Sequence, residues 1–397
     1  MSEPWLNVVG IGEDGLDGLN AMATEALERA EVIVGGDRHH DLSARITAER
    51  LSWPSPFDAM IETIRSLKGR HPVVLVTGDP LWYSVGARLL RAIASDEITF
   101  HPQLSAFQWA AVRMGWSLAD CATLTVHGRP LAQIVPALAP NRRLLVLTKD
   151  ATTPRAVAAL LVAKGYDASR MTALAALGGE REERFDGTAS EWRHDVPDFH
   201  TLAIDCVASV PAEPLLGLPD DAYEHDGQLT KRAVRAATLA KLAPYPGGLL
   251  WDVGAGCGSI GIEWTRSAAE ARAIAIEPKS ERRFMTARNA DALGAPSLRL
   301  VEGRAPDALE GLPTPDAIFI GGGLTTPGAF ERCWDALRHD GRLVANAVTL
   351  ESEARLFDLH AEHGGELTRI AVSRAEAIGP YRGWRPSMPV TQWSVVR

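Results

Sequence analysis

The sequence predicts two α/β domains in tandem, the first two-lobed and the second Rossmann-like, each built on a mainly parallel sheet. Three observations carry this. Strand-like and helix-like segments alternate along the whole chain. A buried strand runs into a glycine turn in each half, at Leu6–Gly12 and at Leu249–Gly256. A proline-rich break from Val210 to Asp221 (VPAEPLLGLPDD) separates the halves and precedes a fresh helical pattern. At roughly 100–200 residues per domain, 397 residues suit two or three. The expected division is 1–209, a linker 210–221, and 222–397.

In the first half, Leu6–Gly12 is followed by a helix over about Leu19–Ala30 and a strand Glu31–Gly36. VVLVTGDP (Val73–Pro80) is a strand ending in a tight turn, and Ser84–Ala94 has helical spacing. Strands follow at Ile98–His101, Thr123–His127 and Leu144–Thr148. Late strands near Met171–Ala176, Glu182–Asp186 and Thr201–Val207 are closely spaced, which predicts a more antiparallel second lobe. In the second half, a helix over about Lys231–Leu242 precedes the strand into Gly256. Helix Ser259–Ser267, strand Arg272–Glu277 and a helix to Leu293, with Ser280 as its cap, come next. Strands at Leu298–Glu302, Asp316–Ile320 and Arg342–Val348 continue the pattern, and Leu367–Ser373 with Val390–Val396 predict a closing hairpin. The halves share no internal repeat.

Composition is that of a globular protein, 46% hydrophobic and 23% charged. A formal net charge of −9 without a basic run argues against a nucleic-acid partner. The four cysteines, Cys121, Cys206, Cys257 and Cys333, are widely spaced, so neither a metal site nor a disulfide framework is expected. The opening MSEPWLNVVG has no signal-peptide pattern, and no uncharged stretch is long enough to span a bilayer. The expectation is a cytoplasmic protein with no membrane partner.

The densest motif is LWDVGAGCGSIGIEW, with Gly254, Gly256 and Gly258 between a strand and a helix. Glycines there let the backbone turn sharply and approach a ligand closely. Glu277 ends the next strand, twenty-one residues after Gly256, where a carboxylate can accept both hydroxyls of a ribose. Asp252 stands just before the turn. G-x-G-x-G leaves no seat for a pyrophosphate, so adenosine with an amino-acid tail fits better than a dinucleotide. The stretch resembles class I S-adenosylmethionine methyltransferases. Gln228–Ala236, VEGRAPDALEGL, DAIFIGGG and GRLVANAVTLE narrow the resemblance to the decarboxylating precorrin methyltransferases, over nearly all of 225–375. It implies cofactor contacts at Thr230, Gly254, Ala255, Gly256, Cys257, Gly258, Glu277 and Ala305. Cys257 stands where such loops often have Thr, which implies a backbone contact there.

In the first half, GIGEDGLDGL (Gly10–Leu19) and TGDPLWYS (Thr77–Ser84) each follow a buried strand and can offer backbone N–H groups. With Leu104–Ala106, His127–Arg129 and GGDRHH (Gly35–His40), they resemble the class III tetrapyrrole methylases, and within these the branch that methylates carbon 5 of a precorrin. GIGEDG stands where many relatives read Gly-Pro-Gly, and LSA where many have Ser-Ser. The resemblance implies a cofactor cleft between two lobes, touched by Gly10, Gly78, Asp79, Ser84 and Ser105. Adjacent His39 and His40 point in different directions on a helix, so they suit a surface or substrate-facing role rather than a shared metal.

Together the halves resemble the bifunctional, decarboxylating precorrin methyltransferases of cobalamin biosynthesis. The implied reaction methylates carbons 5 and 15 of precorrin-6B and removes the carboxylate of the ring C acetate, giving precorrin-8. It implies two S-adenosylmethionine molecules per chain, carbon 15 and decarboxylation assigned to the second domain, and self-association through that domain. Candidate cations for the tetrapyrrole carboxylates are Arg38 and Arg129 in the first half. In the second half they are Lys231, Arg232 and Arg235, and Arg374, Arg382 and Arg385 near the tail. Candidate proton donors are Tyr381, Tyr223 and His225; the catalytic group stays open. Two alternatives also stay open: methylation of another tetrapyrrole, and a first domain that only handles substrate.

Overall fold

The computed structural model describes residues 4–397. It divides into two compact units, one reaching Leu131 and resuming over Ala137–Ala212, the other comprising Ala132–Pro136 and Glu213–Arg397.

The first unit holds two five-stranded sheets. In the first sheet β1 is Leu6–Ile11, β2 Val32–Gly35, β3 Glu49–Ser52, β4 Pro72–Thr77 and β5 Ile98–His101. Their order is β3-β2-β4-β1-β5, all parallel. Side chains alternate across a strand, and β1 shows both faces filled. Leu6 and Val8 pack with Met60 and Ile64, while Val9 and Ile11 pack with Leu27 and Ile33. The second sheet contains β6 (Cys121–Thr125), β7 (Arg143–Leu147), β8 (Arg170–Ala175), β9 (Glu183–Thr188) and β10 (His200–Asp205). Its order is β6-β7-β10-β8-β9; β6 and β7 are parallel and the remaining pairs antiparallel. The more antiparallel second lobe expected from the close strand spacing is there. The helix expected over Ser84–Ala94 is short, Gly86–Leu89.

The second unit is a seven-stranded sheet covered on both faces. Its strands are β11 (Leu249–Val253), β12 (Arg272–Glu277), β13 (Leu298–Glu302), β14 (Ala317–Ile320), β15 (Arg342–Ala347) and β16 (Glu366–Ile370), followed, after an intervening ribbon, by β19 (Val390–Val396). The order is β13-β12-β11-β14-β15-β19-β16, parallel except for β19. Connections from β11 run one way and those from β14 the other, so the crevice at their C-terminal ends is the natural ligand position of a doubly wound sheet. Trp251 and Val253 fill one face and Leu250 the other.

Two local expectations change. β16 and β19 do pair antiparallel, but an exposed two-stranded ribbon, β17 (Ser373–Ile378) with β18 (Tyr381–Pro386), stands between them in the chain, so they are not a simple hairpin. Ser280 is the first residue of its helix, not the cap; Glu277 Oε1 accepts the Lys279 N–H at 3.0 Å just ahead of it.

The approach to the second sheet is built in rather than loose. Leu218 is fully buried, and Glu263 accepts the backbone N–H of Gly217 (2.6 Å) and Leu218 (3.1 Å). Arg235 Nε donates to the same carboxylate at 2.6 Å, and neither side chain is exposed. Arg235 Nη1 donates to the Thr230 carbonyl at 2.6 Å. Removing one partner of such a pair leaves an uncompensated buried charge, a cost of about 3–5 kcal/mol. The knot fixes Thr230 beside the glycine turn.

Candidate active sites

In the second unit a cavity of about 810 Å³ runs along the C-terminal edge of the sheet. Gly254 has φ of +74°, and a Cβ there would sit 2.9 Å from the Gly322 nitrogen, so the turns after β11 and β14 meet backbone to backbone. Glu277, 2% exposed, accepts the Gly256 N–H at 3.0 Å as well as that of Lys279. Its carboxylate therefore holds the glycine turn and still faces the cavity with unused lone pairs. From the helix Ser280–Ala292, Thr286 donates to the Gly256 carbonyl (3.0 Å) and Asn289 to the Cys257 carbonyl (3.0 Å). Asp252 lies beneath the turn, and Gly261 N–H donates to it at 2.9 Å. Burial, reinforced by the nearby Glu277 charge, pushes its carboxyl up to about 7.

Thr230, Gly254, Ala255, Gly256, Cys257, Glu277 and Ala305 all line the cavity. Gly258 does not. Its φ is +81°, and a Cβ there would fall 2.4 Å from Thr286 Cγ2, so this glycine serves helix packing. Lys231 reaches the wall, together with Lys279, Arg282, Arg304 and Arg374. Arg282 is paired with Asp226 at 2.7 Å, and Arg374 is 3.5 Å from Asp220. Among the described residues Lys231, Lys279 and Arg304 have no acidic partner, which leaves them available to anionic groups in the cavity. Arg304 sits inside the VEGRAP run, and its charge beside Ala305 was the available signal. Thr286 and Asn289, three apart on one helix face after Glu277, were legible only once the turn they grip was known.

Other candidates lie away from the cavity. Arg235 is consumed by Glu263 and Thr230. Tyr223 is buried and donates to Glu263 at 2.9 Å; burial and that carboxylate raise its hydroxyl far above the ordinary range. Arg382 and Tyr381 are on the exposed ribbon, as is Arg385, which pairs with Glu376 at 3.0 Å. Arg232 is by Asp220, whose carboxylate accepts its backbone N–H at 2.8 Å. His225 accepts the Gly227 N–H at 3.0 Å and is not on the wall.

In the first unit, Gly10, Gly78 and Ser105 converge. A Cβ on Gly10 would lie 1.8 Å from the Gly78 carbonyl oxygen, and one on Gly78 (φ +63°) 2.9 Å from Ser105 Cα. Ser105 caps the helix Ala106–Met114 and is buried, with its hydroxyl unpartnered. An orphaned buried donor beside a cradle that excludes every side chain fits a ligand's polar edge. Asp79 closes its own turn, accepting the Leu81 N–H at 2.7 Å, and half-buried Ser84 follows on the same turn. Arg38 donates to Glu13 at 2.5 Å and to Thr77 Oγ1 at 3.0 Å, and its guanidinium stacks 3.9 Å from the Phe199 ring centre. His39 Nδ1 accepts the Gly36 N–H, and its Nε2 faces Thr77 Oγ1 at 3.1 Å. Burial, with Arg38 and His40 adjacent, pushes His39 down to about 4, so it is neutral at ordinary pH. Arg129 lies over the Tyr83 ring at 5.4 Å.

Two family models match: a tetrapyrrole (corrin/porphyrin) methylase over residues 6–192 and a precorrin methyltransferase domain over 221–397. A precorrin-6Y C(5,15)-methyltransferase (decarboxylating) from Sinorhizobium sp. is 49% identical over 98% of this chain and 96% of its own length. One of the same description from Mycobacterium tuberculosis is 43% identical over 98% of this chain and 99% of its own. The crystal structure of the C-terminal domain of precorrin-6Y C5,15-methyltransferase from Rhodobacter capsulatus is 49% identical, covering 46% of this chain and all of its own at a TM-score of 0.44.

Proposed function

The chain belongs to the precorrin-6Y C(5,15)-methyltransferases (decarboxylating), and from that premise we propose how its two units divide the work. It is an S-adenosylmethionine-dependent enzyme of cobalamin biosynthesis that methylates precorrin-6B at carbons 5 and 15 and decarboxylates the ring C acetate. In our reading the second unit performs the decarboxylation and the carbon 15 methylation, and the first unit the carbon 5 methylation, each with its own S-adenosylmethionine. The observation that carries this is the glycine turn held by Glu277, opening on a cavity whose wall bears unpaired cations.

S-adenosylmethionine supplies an electrophilic methyl group. The protein's task is to hold an electron-rich ring carbon in line with it, roughly 3–3.5 Å away. Glu277 takes the ribose hydroxyls, and the backbone at Gly254–Cys257 admits the amino-acid tail. Lys231, Lys279 and Arg304 take carboxylates that the product retains. The carboxylate to be lost belongs elsewhere, since a cation beside it stabilises the ground state more than the transition state. Val348, Ile370 and Val390 offer it an apolar wall. There the bond from the acetate methylene to the carboxyl carbon breaks, carbon dioxide leaves, and the electron pair enters the ring conjugation. A proton from solvent completes the new methyl group.

The resemblance of the second half supports self-association through that unit, and the pathway supports a cytoplasmic site of action. Among the described residues no helix is long and apolar enough to cross a membrane. Equilibrium dialysis of the purified chain with labelled S-adenosylmethionine should give about two equivalents bound per chain, from one site per unit. One equivalent would overturn the assignment of a working cofactor site to each unit.

A further inference from the structure

The wall of the cavity carries a polar group whose orientation is fixed from behind. Asn346, near the end of β15, faces Gln392 of β19 as a cross-strand pair. Thr238, from the helix Arg232–Leu242, lies behind both; it and Gln392 are essentially excluded from solvent, while Asn346 lines the cavity. The hydrogen bonds allow one arrangement. Thr238 donates its hydroxyl proton to the Val234 carbonyl at 2.9 Å, so its oxygen can only accept. It accepts from Asn346 Nδ2 and from Gln392 Nε2, each at 3.0 Å. The second Gln392 N–H goes to Asn346 Oδ1, also at 3.0 Å. The Asn346 amide therefore cannot flip. It retains one uncommitted N–H and one uncommitted oxygen lone pair in a cavity whose wall also carries Val348, Ile370 and Val390.

We propose that Asn346 is a substrate-contacting residue of the second unit, donating its free Nδ2–H to the tetrapyrrole carboxylate that is lost, with Thr238 and Gln392 as positioning residues. The proposal rests on the functional reading above. The chemistry favours an amide here. Decarboxylation needs the breaking carbon–carbon bond held across the plane of the ring so that its electrons can enter the conjugated system. A cation would fix the carboxylate but stabilise its charge, whereas a neutral N–H orients it at a smaller ground-state gain. An amide free to rotate would present its oxygen half the time and repel the carboxylate. The triad behind Asn346 removes that state.

The test uses the full-length chain with precorrin-6B and S-adenosylmethionine. Asn346→Leu removes the donor, and Asn346→Asp removes it while keeping the shape. Each should lower kcat/KM for decarboxylation roughly 100-fold, as loss of a hydrogen bond to a charged group does. Binding of S-adenosylmethionine should stay within about two-fold. Thr238→Val keeps its shape but frees the amide; it should lower kcat roughly ten-fold with KM little changed, and Thr238→Ser should restore kcat. If either Asn346 variant decarboxylates within about three-fold of wild type, or Thr238→Val shifts only the Tm, the proposal is overturned. Wild-type protein that binds S-adenosylmethionine but leaves precorrin-6B unchanged would instead sink the functional reading itself.

Discussion

Glu277→Ala should reduce bound S-adenosylmethionine from about two equivalents per chain to about one, and abolish methylation at carbon 15. This carboxylate has two jobs on one pair of oxygens. It accepts the backbone N–H of Gly256 and of Lys279, which sets the glycine turn and the start of the next helix. It also presents its remaining lone pairs to the cavity, where a ribose would lie. Alanine would lose the proposed ribose contacts and leave two N–H groups unsatisfied in a site that is 2% exposed at Glu277. Each hydrogen bond to a charged group is worth about 1.5–3 kcal/mol, so two lost contacts weaken cofactor binding by at least roughly 100-fold. Titration calorimetry of the full chain reads this directly as loss of one class of site. Two sites of unchanged affinity in Glu277→Ala would remove Glu277 from the binding machinery.

Gly10→Ala is the counterpart in the first unit. β1 and β4 are register-locked neighbours, with Gly10 opposite Val76. The added methyl group would fall 1.8 Å from the Gly78 carbonyl oxygen and 3.0 Å from the Gln103 nitrogen. Both are backbone atoms, so the turn at Gly78–Pro80 and the loop before Ser105 must part. Overpacking of this kind costs about 1–3 kcal/mol, and more where backbone has to move. The expected result is loss of carbon 5 methylation and of the first unit's cofactor site, with carbon 15 methylation retained. Undiminished carbon 5 methylation in Gly10→Ala would contradict the placement of the site at this convergence.

Much of this was legible in the sequence because the relevant signals are local. β11 reads as a buried strand from LLWDV alone, and the glycines after it announce a backbone that must pass close to something. Glu277 follows from strand-end spacing. What stayed hidden depends on contacts distant in the chain. β3, ERLS, has one apolar residue and is a strand only because β2 offers its edge. Arg235 has the look of a solvated helix charge until Glu263 is seen opposite it. The ribbon β17–β18 is exposed along both strands and gives no burial periodicity. Arg374 and Arg382 both stand on that ribbon and are indistinguishable by residue type; only position separates them, Arg374 at the base, where it lines the cavity, and Arg382 beside the tip. Asn346 belongs to a recognisable run, but its meaning lies in Thr238 and Gln392, more than a hundred residues before it and forty-six after.

The most direct test of the two-site account is the mass of the tetrapyrrole after incubating the purified chain with precorrin-6B and excess S-adenosylmethionine. The account expects the gain of two methyl groups and the loss of one carbon dioxide on the same molecule. A product with one methyl group and the carboxylate lost would contradict the claim that both units are catalytic.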